Sequence, residues 1–361
     1  MIKVAIPIID NEEIEAAIEV LKSGYYTSGP KVEKFEKEFA KYIGTKYAVA
    51  CNSGTAALHM VYSAIGMTED STFITSPMSF FATISAGMMC NSIPEFVDVD
   101  RNCNLDPSKI EESITENTSA IVPVHFYGHP CQIEKTIEIG KRYNIPVIED
   151  CAQAHGAEYK GKRVGSFGLA DCFSFFATKN MTTIEGGMIT TDNESLYEHC
   201  KLMRSHGMAD RDTHSIIGYN YRMNELSGAI GIVQLKKLDG FNRRRTEISE
   251  ALQKGIVNTN FRIFKEDEYY KHAYFWQPIF VKKHHFSSLF MDHLKKNKIG
   301  FRFRYNEPLY KQPIFRNVYS SMRLPNAELY SGCMFGLPNH PGMTDEEIQK
   351  VAEVVNEFDP K

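Results

Sequence analysis

The sequence predicts an α/β fold, with a large domain built on a mostly parallel sheet and a smaller C-terminal α+β domain after it. Three observations carry this. Between residues 47 and 191, short apolar runs alternate with helical stretches of about ten residues, the pattern of strands joined by crossover helices. Asn52–Thr55, Asp150 and Lys179 fall at or just beyond the C-terminal ends of such runs, where open α/β sheets bind ligands. Of the 361 residues, 43% are apolar and 24% charged, which allows a sizeable core and a length that suits two domains or so.

Residues 11–24 place apolar side chains at helical spacing, with acids early and Gly24 as a stop, so a helix is expected. Tyr25-Tyr-Thr-Ser-Gly-Pro30 reads as a loop, and 31–43 as a second amphipathic helix. Residues 47–51 form a short buried strand, and Asn52-Ser-Gly-Thr55 turns into an apolar helix ending near Ile65. Further strands are expected at 73–75, 93–100, 120–125 and 145–150, with helices at 80–89, 106–114 and 133–143 between them. The apolar run from Cys172 reads as a strand ending in Lys179. After Gly186–Thr191 come helices over 193–204 and 223–238, a break at Asp239-Gly240, and a basic amphipathic helix over 241–258 with Arg243, Arg244 and Arg245. The break sets the domain boundary: 1–240 for the large domain and 241–361 for the small one. The latter is expected to hold a strand at 275–281 and helices at 287–298 and 344–358.

Net charge is −4 with no long basic block, which argues against a nucleic-acid partner. The N-terminal apolar run is cut by Asp10, Glu12 and Glu13, unlike a signal peptide. The apolar stretch after Tyr47 is interrupted by Asn52, Gly54 and His59, so no membrane span is expected. Eight cysteines are scattered without a CxxC pair, which suits buried thiols in a reducing cytoplasm better than a zinc or iron–sulfur site. His125 and His129 are four apart, but Tyr127-Gly-His-Pro130 signals a turn, so no metal site is expected. No Walker A, GxSxG or dinucleotide fingerprint occurs.

Chemistry-bearing residues concentrate in Val147-Ile-Glu-Asp-Cys-Ala-Gln-Ala-His-Gly156, Cys172–Asn180 and Glu185-Gly-Gly187. Most lysines are solvated, but Lys179 follows Phe173-Ser-Phe-Phe-Ala-Thr178, and desolvation makes an amine nucleophilic. Asp150 ends an apolar strand; as a plain cap it would be unremarkable, and Glu149 beside it could serve equally well. An acid and a lysine delivered by strand ends suit pyridoxal phosphate (PLP), where the acid keeps the pyridine nitrogen protonated and the lysine forms a Schiff base and carries protons. Gln153 is placed to contact the ring oxygen. Ser53-Gly-Thr55 offers small residues at a helix N-terminus, a seat for phosphate, though a simple N-cap explains the tripeptide as well. Ser174 offers a further hydroxyl. Phe80 suits stacking on an aromatic ring or ordinary core packing.

With these residues in view, the whole chain resembles the DegT/StrS-type nucleotide-sugar aminotransferases, a branch of the fold-type I PLP-dependent transferases. The likeness rests on Ser23–Pro30, Asn52-Ser-Gly-Thr-Ala-Ala-Leu58, Ser79-Phe-Phe-Ala-Thr83, Pro146–Asp150, Thr178-Lys-Asn180 with Glu185-Gly-Gly187, Gly218-Tyr-Asn-Tyr-Arg-Met223 and Leu337–Pro341. The resemblance implies that Lys179 bonds the cofactor, Asp150 pairs with its pyridinium and Gln153 contacts its hydroxyl. Gly54, Thr55 and Ser174 would hold the phosphate and Phe80 would stack. Asn220 would reach the cofactor of a neighbouring subunit in a homodimer. Residues 25–30, with Tyr305, Tyr310 and His340, would shape the substrate pocket. The implied substrates are L-glutamate and a nucleotide-linked keto sugar, closest in pattern to amination at C4 of a 4-keto-6-deoxyhexose as in perosamine synthesis. C3 amination, amination of another small ketone, a PLP-dependent sugar dehydratase and a non-catalytic PLP-binding protein are the alternatives. Two departures stand out. Ile184 replaces a glycine, which predicts a different loop path because a β-branched residue avoids positive φ. Tyr310 replaces a histidine.

Overall fold

The computed structural model describes residues 1–264, 268–303 and 305–361. Two helices open the chain, α1 (Asn11–Ser23) and α2 (Pro30–Ile43). Asp10 and Glu13 cap α1 reciprocally, and Gly24 ends it in the left-handed conformation. The central run is β1 (Tyr47–Cys51), α3 (Gly54–Ala64), β2 (Thr72–Thr75), α4 (Ala82–Met88), β3 (Ile93–Phe96), β4 (Thr118–Val122), α5 (Ile133–Tyr143) and β5 (Ile148–Asp150). A small hairpin, β6 (Glu158–Tyr159) and β7 (Lys162–Arg163), precedes β8 (Ala170–Ser174), β9 (Gly187–Thr191), α6 (Glu194–Arg204) and α7 (Glu225–Gly255). The C-terminal part holds β10 (Phe261–Ile263), β11 (Tyr270–Lys271), β12 (Gln277–Val281), α8 (Phe286–Lys296), α9 (Pro325–Ser331), β13 (Met334–Leu337) and α10 (Asp345–Asn356).

The strands β1-β9-β8-β5 form one ladder and β3-β2-β4 another. Parallel bridges Ile121↔Val147 and Val124↔Asp150 join β4 to β5, so the order across the sheet is β1-β9-β8-β5-β4-β2-β3. β9 runs antiparallel to both neighbours, and the other strands share one direction. This is the mostly parallel sheet that the alternation predicts. Alternate residues feed two cores, as a pleat of period two requires. Val49, Cys172 and Ile189 pack under α3 with Met60 and Tyr62, while Ala48, Phe173 and Met188 meet Phe35 and Phe39 of α2 on the other face. A separate core joins Ile248 and Leu252 to Phe290, Phe335 and Val351 in the C-terminal part.

Two sequence expectations fail here. Residues 106–114 are not an α-helix but two short 3₁₀ turns, Pro107–Lys109 and Glu111–Ser113. The Asp106 carboxylate accepts from both the N–H and the hydroxyl of Ser108, a local closure that competes with helix propagation. The break at Asp239-Gly240 is absent: α7 is one helix of 31 residues. Its first half packs on the sheet through Ile232, Leu235 and Leu238, and its second half on the C-terminal core, so the change of core falls inside the helix. Among the described residues, no helix is long and apolar enough to cross a membrane.

Candidate active site

The C-terminal ends of β1, β5 and β8 lie side by side with the start of β9, since Cys51 and Ser174 both pair with Gly187, and Cys172 pairs with Asp150. The loops leaving these ends enclose a cavity of about 370 Å³. Its wall includes Gly54, Thr55, Phe80, Asp150, Gln153, Ser174 and Lys179. The structure therefore brings these sequence-predicted residues together.

Asp150 is 4% exposed and faces the cavity. Its Oδ2 accepts from Thr83 Oγ1 at 2.7 Å, and Thr83 in turn contacts Ser79 Oγ at 2.6 Å. Its Oδ1 accepts from the Ala152 N–H at 3.1 Å. The carboxylate is thus held in one orientation from two sides. Glu149, one residue earlier, points to the opposite face. It bonds His125 Nε2 at 2.8 Å and accepts from the N–H groups of Gly165, Phe167 and Gly168. Strand alternation, not chemistry, separates the two acids.

Lys179 is not at the end of a strand, as the sequence suggests. β8 stops at Ser174, and Lys179 sits in the turn that follows, its N–H donating to Phe176 O at 2.9 Å. Asn180 anchors that turn by donating to Asn242 Oδ1 at 2.8 Å and Ala273 O at 2.6 Å. The Lys179 amine lies 4.7 Å above the Phe275 ring. Behind it, His155 is fully buried between Phe173 and Phe175. Burial first, and the Lys179 cation next, lower its imidazole to about 3, so the ring is neutral at physiological pH.

At the other end of the cavity, Ser53 caps α3 by accepting from Ala56 N at 3.1 Å. The N–H groups of Gly54 and Thr55 lie in the first turn, where no intrahelical carbonyl reaches them. A side chain at position 54 would place its Cβ 2.8 Å from Ser174 Cβ, so only glycine lets the two loops meet. A helix N-terminus, a free approach over glycine and the Ser174 hydroxyl make a cradle fit for phosphate. Gln153 accepts from Tyr127 N–H at 2.8 Å and donates to Tyr305 Oη at 3.2 Å, which fixes its amide beside Asp150. Phe80 lines the wall while 54% exposed. Donors for a phosphate, an oriented carboxylate, a lysine and a ring for stacking all fit PLP.

Other expected residues lie elsewhere. Asn220 does not line the cavity; it is exposed on a loop tied to the end of β1 through Asn52 N to Tyr221 O at 2.8 Å. Tyr305 lines the cavity, but Tyr310 is buried in the sheet core, donating to Glu328 Oε1 at 2.6 Å, and His340 and residues 25–30 are not in the wall either. Ile184 takes φ +71°, so the loop keeps a glycine-like path instead of the different one expected. Sequence reasoning missed Thr83, Phe275, Trp276 and Arg302. Thr83 stands four residues after Ser79, a helical spacing that carries a signal; the other three come from a distant stretch with none.

Residues 7–356 match the DegT/DnrJ/EryC1/StrS aminotransferase family. The chain belongs to this family. It is 36% identical to a GDP-perosamine synthase of Escherichia coli O157:H7, over 98% of this chain and 97% of the relative. Its fold is similar to that of Helicobacter pylori PseC, an aminotransferase involved in the biosynthesis of pseudoaminic acid, with a TM-score of 0.94 at 30% identity and 98% of each chain covered. NtdA from Bacillus subtilis with bound cofactor PMP matches at a TM-score of 0.90 and 29% identity, over 96% of this chain and 82% of that one. As a member of the DegT/DnrJ/EryC1/StrS family, the chain is a PLP-dependent aminotransferase of fold-type I.

Proposed function

We propose that this aminotransferase moves an amino group from L-glutamate to C4 of a nucleotide-linked 4-keto-6-deoxyhexose. One observation carries the reading: Asp150, Lys179 and the N-terminus of α3 share a single cavity. The likeness to a GDP-perosamine synthase supports the sugar class.

In this reading Gly54, Thr55 and Ser174 bind the cofactor phosphate. Phe80 stacks on its ring, Gln153 meets the ring hydroxyl, and Asp150 holds a proton on the pyridine nitrogen. When bound, PLP supplies the electron sink that stabilises negative charge on the donor's α-carbon. The Lys179 amine would take the α-proton of L-glutamate and redeliver a proton within the cavity; the amino nitrogen would stay behind in the site, and water would supply the keto oxygen of the departing 2-oxoglutarate. On the keto sugar the same amine runs these transfers in reverse. Thr83 keeps Asp150 aimed throughout. The enzyme works as a homodimer in which Asn220 reaches the cofactor of the neighbouring subunit; its exposure outside its own cavity supports this.

The purified protein is expected to show a yellow absorbance band that L-glutamate bleaches and 2-oxoglutarate restores. Lys179→Ala should lower turnover by at least about 100-fold. A band indifferent to glutamate would remove glutamate as donor. A protein that stays colourless with added PLP would sink the roles of Lys179 and Asp150 together. A panel of nucleotide-linked 3-keto and 4-keto sugars then decides the carbon.

A further inference from the structure

The side chains that hold the Lys179 turn from behind include two from α7, outside the cavity wall. Asn242 is 5% exposed in the interior of that helix. Asparagine is a poor interior helix former, and burying its amide is unfavourable unless both ends are bonded, so its place there answers to the bonds it makes. Its Oδ1 accepts from Asn180 Nδ2 at 2.8 Å, and its Nδ2 donates to His155 O at 2.7 Å. Asn180 follows Lys179 directly, and His155 lies in the loop that leaves Asp150 and carries Gln153. One amide thus bridges the turn of the lysine and the loop of the acid. Asn180 Nδ2 also donates to Ala273 O, two residues before Phe275, whose ring lies 4.7 Å from the Lys179 amine. One turn along α7, Arg245 is buried and donates to Tyr274 O at 3.2 Å and Phe275 O at 3.3 Å. At position 156 a Cβ would stand 2.6 Å from Asn242 Nδ2, and glycine there leaves the room. Three segments around the lysine are therefore tied to two neighbouring side chains of one helix.

We propose that Asn242 is a positioning residue for the transamination: through Asn180 and His155 it sets where the Lys179 amine stands relative to Asp150. This rests on the transaminase reading, in which that amine carries the proton. Lys179 lies in a turn beyond the end of β8, so pairing between strands does not fix it. Proton transfer tolerates little misplacement, and slack of about 1 Å costs up to about 100-fold in rate. Asn242 does not line the cavity, so its removal leaves the groups that meet donor and sugar in place. The loss then falls on the rate and not on binding.

Asn242→Leu keeps the volume of the side chain and removes both bonds. In the holoenzyme the absorbance band should remain, with its visible circular dichroism reduced, because a loosened lysine no longer holds the cofactor in one orientation. The limiting rate of bleaching by L-glutamate should fall by about 10- to 100-fold, and the concentration for half that rate should change by less than about 3-fold. Asn180→Ala cuts the same bridge from the other side. Combined with Asn242→Leu it should lower the rate little further than the more damaging single change, since both act through one bond. Losses that multiply would overturn the route through Asn180. A wild-type limiting rate and dichroism in Asn242→Leu, with only a lower unfolding midpoint, would make the residue structural and overturn the proposal. If Asn242→Leu does not fold, Asn180→Ala carries the test alone, and an unchanged rate and dichroism there overturn it. The transaminase reading fails separately. A wild-type protein that stays yellow with L-glutamate removes that donor, while the visible dichroism of the variants still decides what Asn242 does. A colourless wild type overturns both.

Discussion

Ile184 holds φ at +71°, a conformation that costs an L-residue about 1–2 kcal/mol, and β-branching makes it worse. The neighbours explain why the loop accepts it. Ile184 N–H donates to Thr182 Oγ1 at 2.8 Å, and Thr183 Oγ1 donates to Glu185 O at 2.7 Å. These bonds fix the path into Glu185, which lines the cavity. The side chain itself is 60% exposed, so packing within the chain does not offset the strain. Ile184→Gly is therefore expected to raise the unfolding free energy, by up to about 1 kcal/mol once glycine's greater unfolded-state entropy is counted. Urea unfolding would show a higher midpoint at unchanged slope. A lower midpoint would mean that the side chain is buried in solution. At this scale the sequence is legible where one residue answers to one rule. Asp150 as a strand-end acid needs only the apolar run before it. The choice of Asp150 over Glu149 needs strand phase, which a short apolar run does not define. Trp276 and Arg302 reach the cavity from two positions far beyond Lys179 in the chain, and no local pattern encodes that.

The long helix α7 shows the same limit between elements. Asp239-Gly240 looks like a break because glycine is a poor helix former. The helix continues because its flanks are held: Leu238 is buried, and Asp239 accepts from Tyr42 Oη at 2.6 Å and pairs with Arg163 at 3.7 Å. Tertiary contacts override the local preference there, and those contacts come from α2 and the hairpin β6–β7. At Gly240 itself a Cβ would meet nothing within 4 Å. Gly240→Ala is thus expected to stabilise the protein by about 0.5–1 kcal/mol, since alanine is the better helix former and loses less entropy on folding. Thermal unfolding checks it, and a lower midpoint would mean that the glycine serves a bend in the helix. By contrast, α5 and β1 lie where the sequence expects them, because a full amphipathic period and a run bounded by turns are local signals.

For the whole molecule, parallel strands with crossover helices are legible because alternation itself dictates that topology, while the antiparallel entry of β9 is not. What a single chain leaves exposed bears on its assembly. Phe176 lines the cavity yet remains 45% exposed. Apolar surface at the mouth of a site is a place for a partner to cover. The proposed dimer puts Asn220 of one subunit at the other's cofactor, and this has a consequence that a same-chain role does not share. Lys179→Ala and Asn220→Ala homodimers should each be impaired, the first in chemistry and the second in holding the cofactor. Mixed after unfolding and refolding together, they form heterodimers. One site then lacks Lys179, but the other has its own Lys179 and the intact Asn220 of its neighbour. Activity should return to about one quarter of wild type, because half the dimers are mixed and each has one complete site. If Asn220 served its own chain, each site in the mixed dimer would lack one residue and no activity would return. A monomer by sedimentation would remove the shared site altogether, and the exposed Phe176 ring at the cavity mouth would then have to meet substrate instead of a second copy.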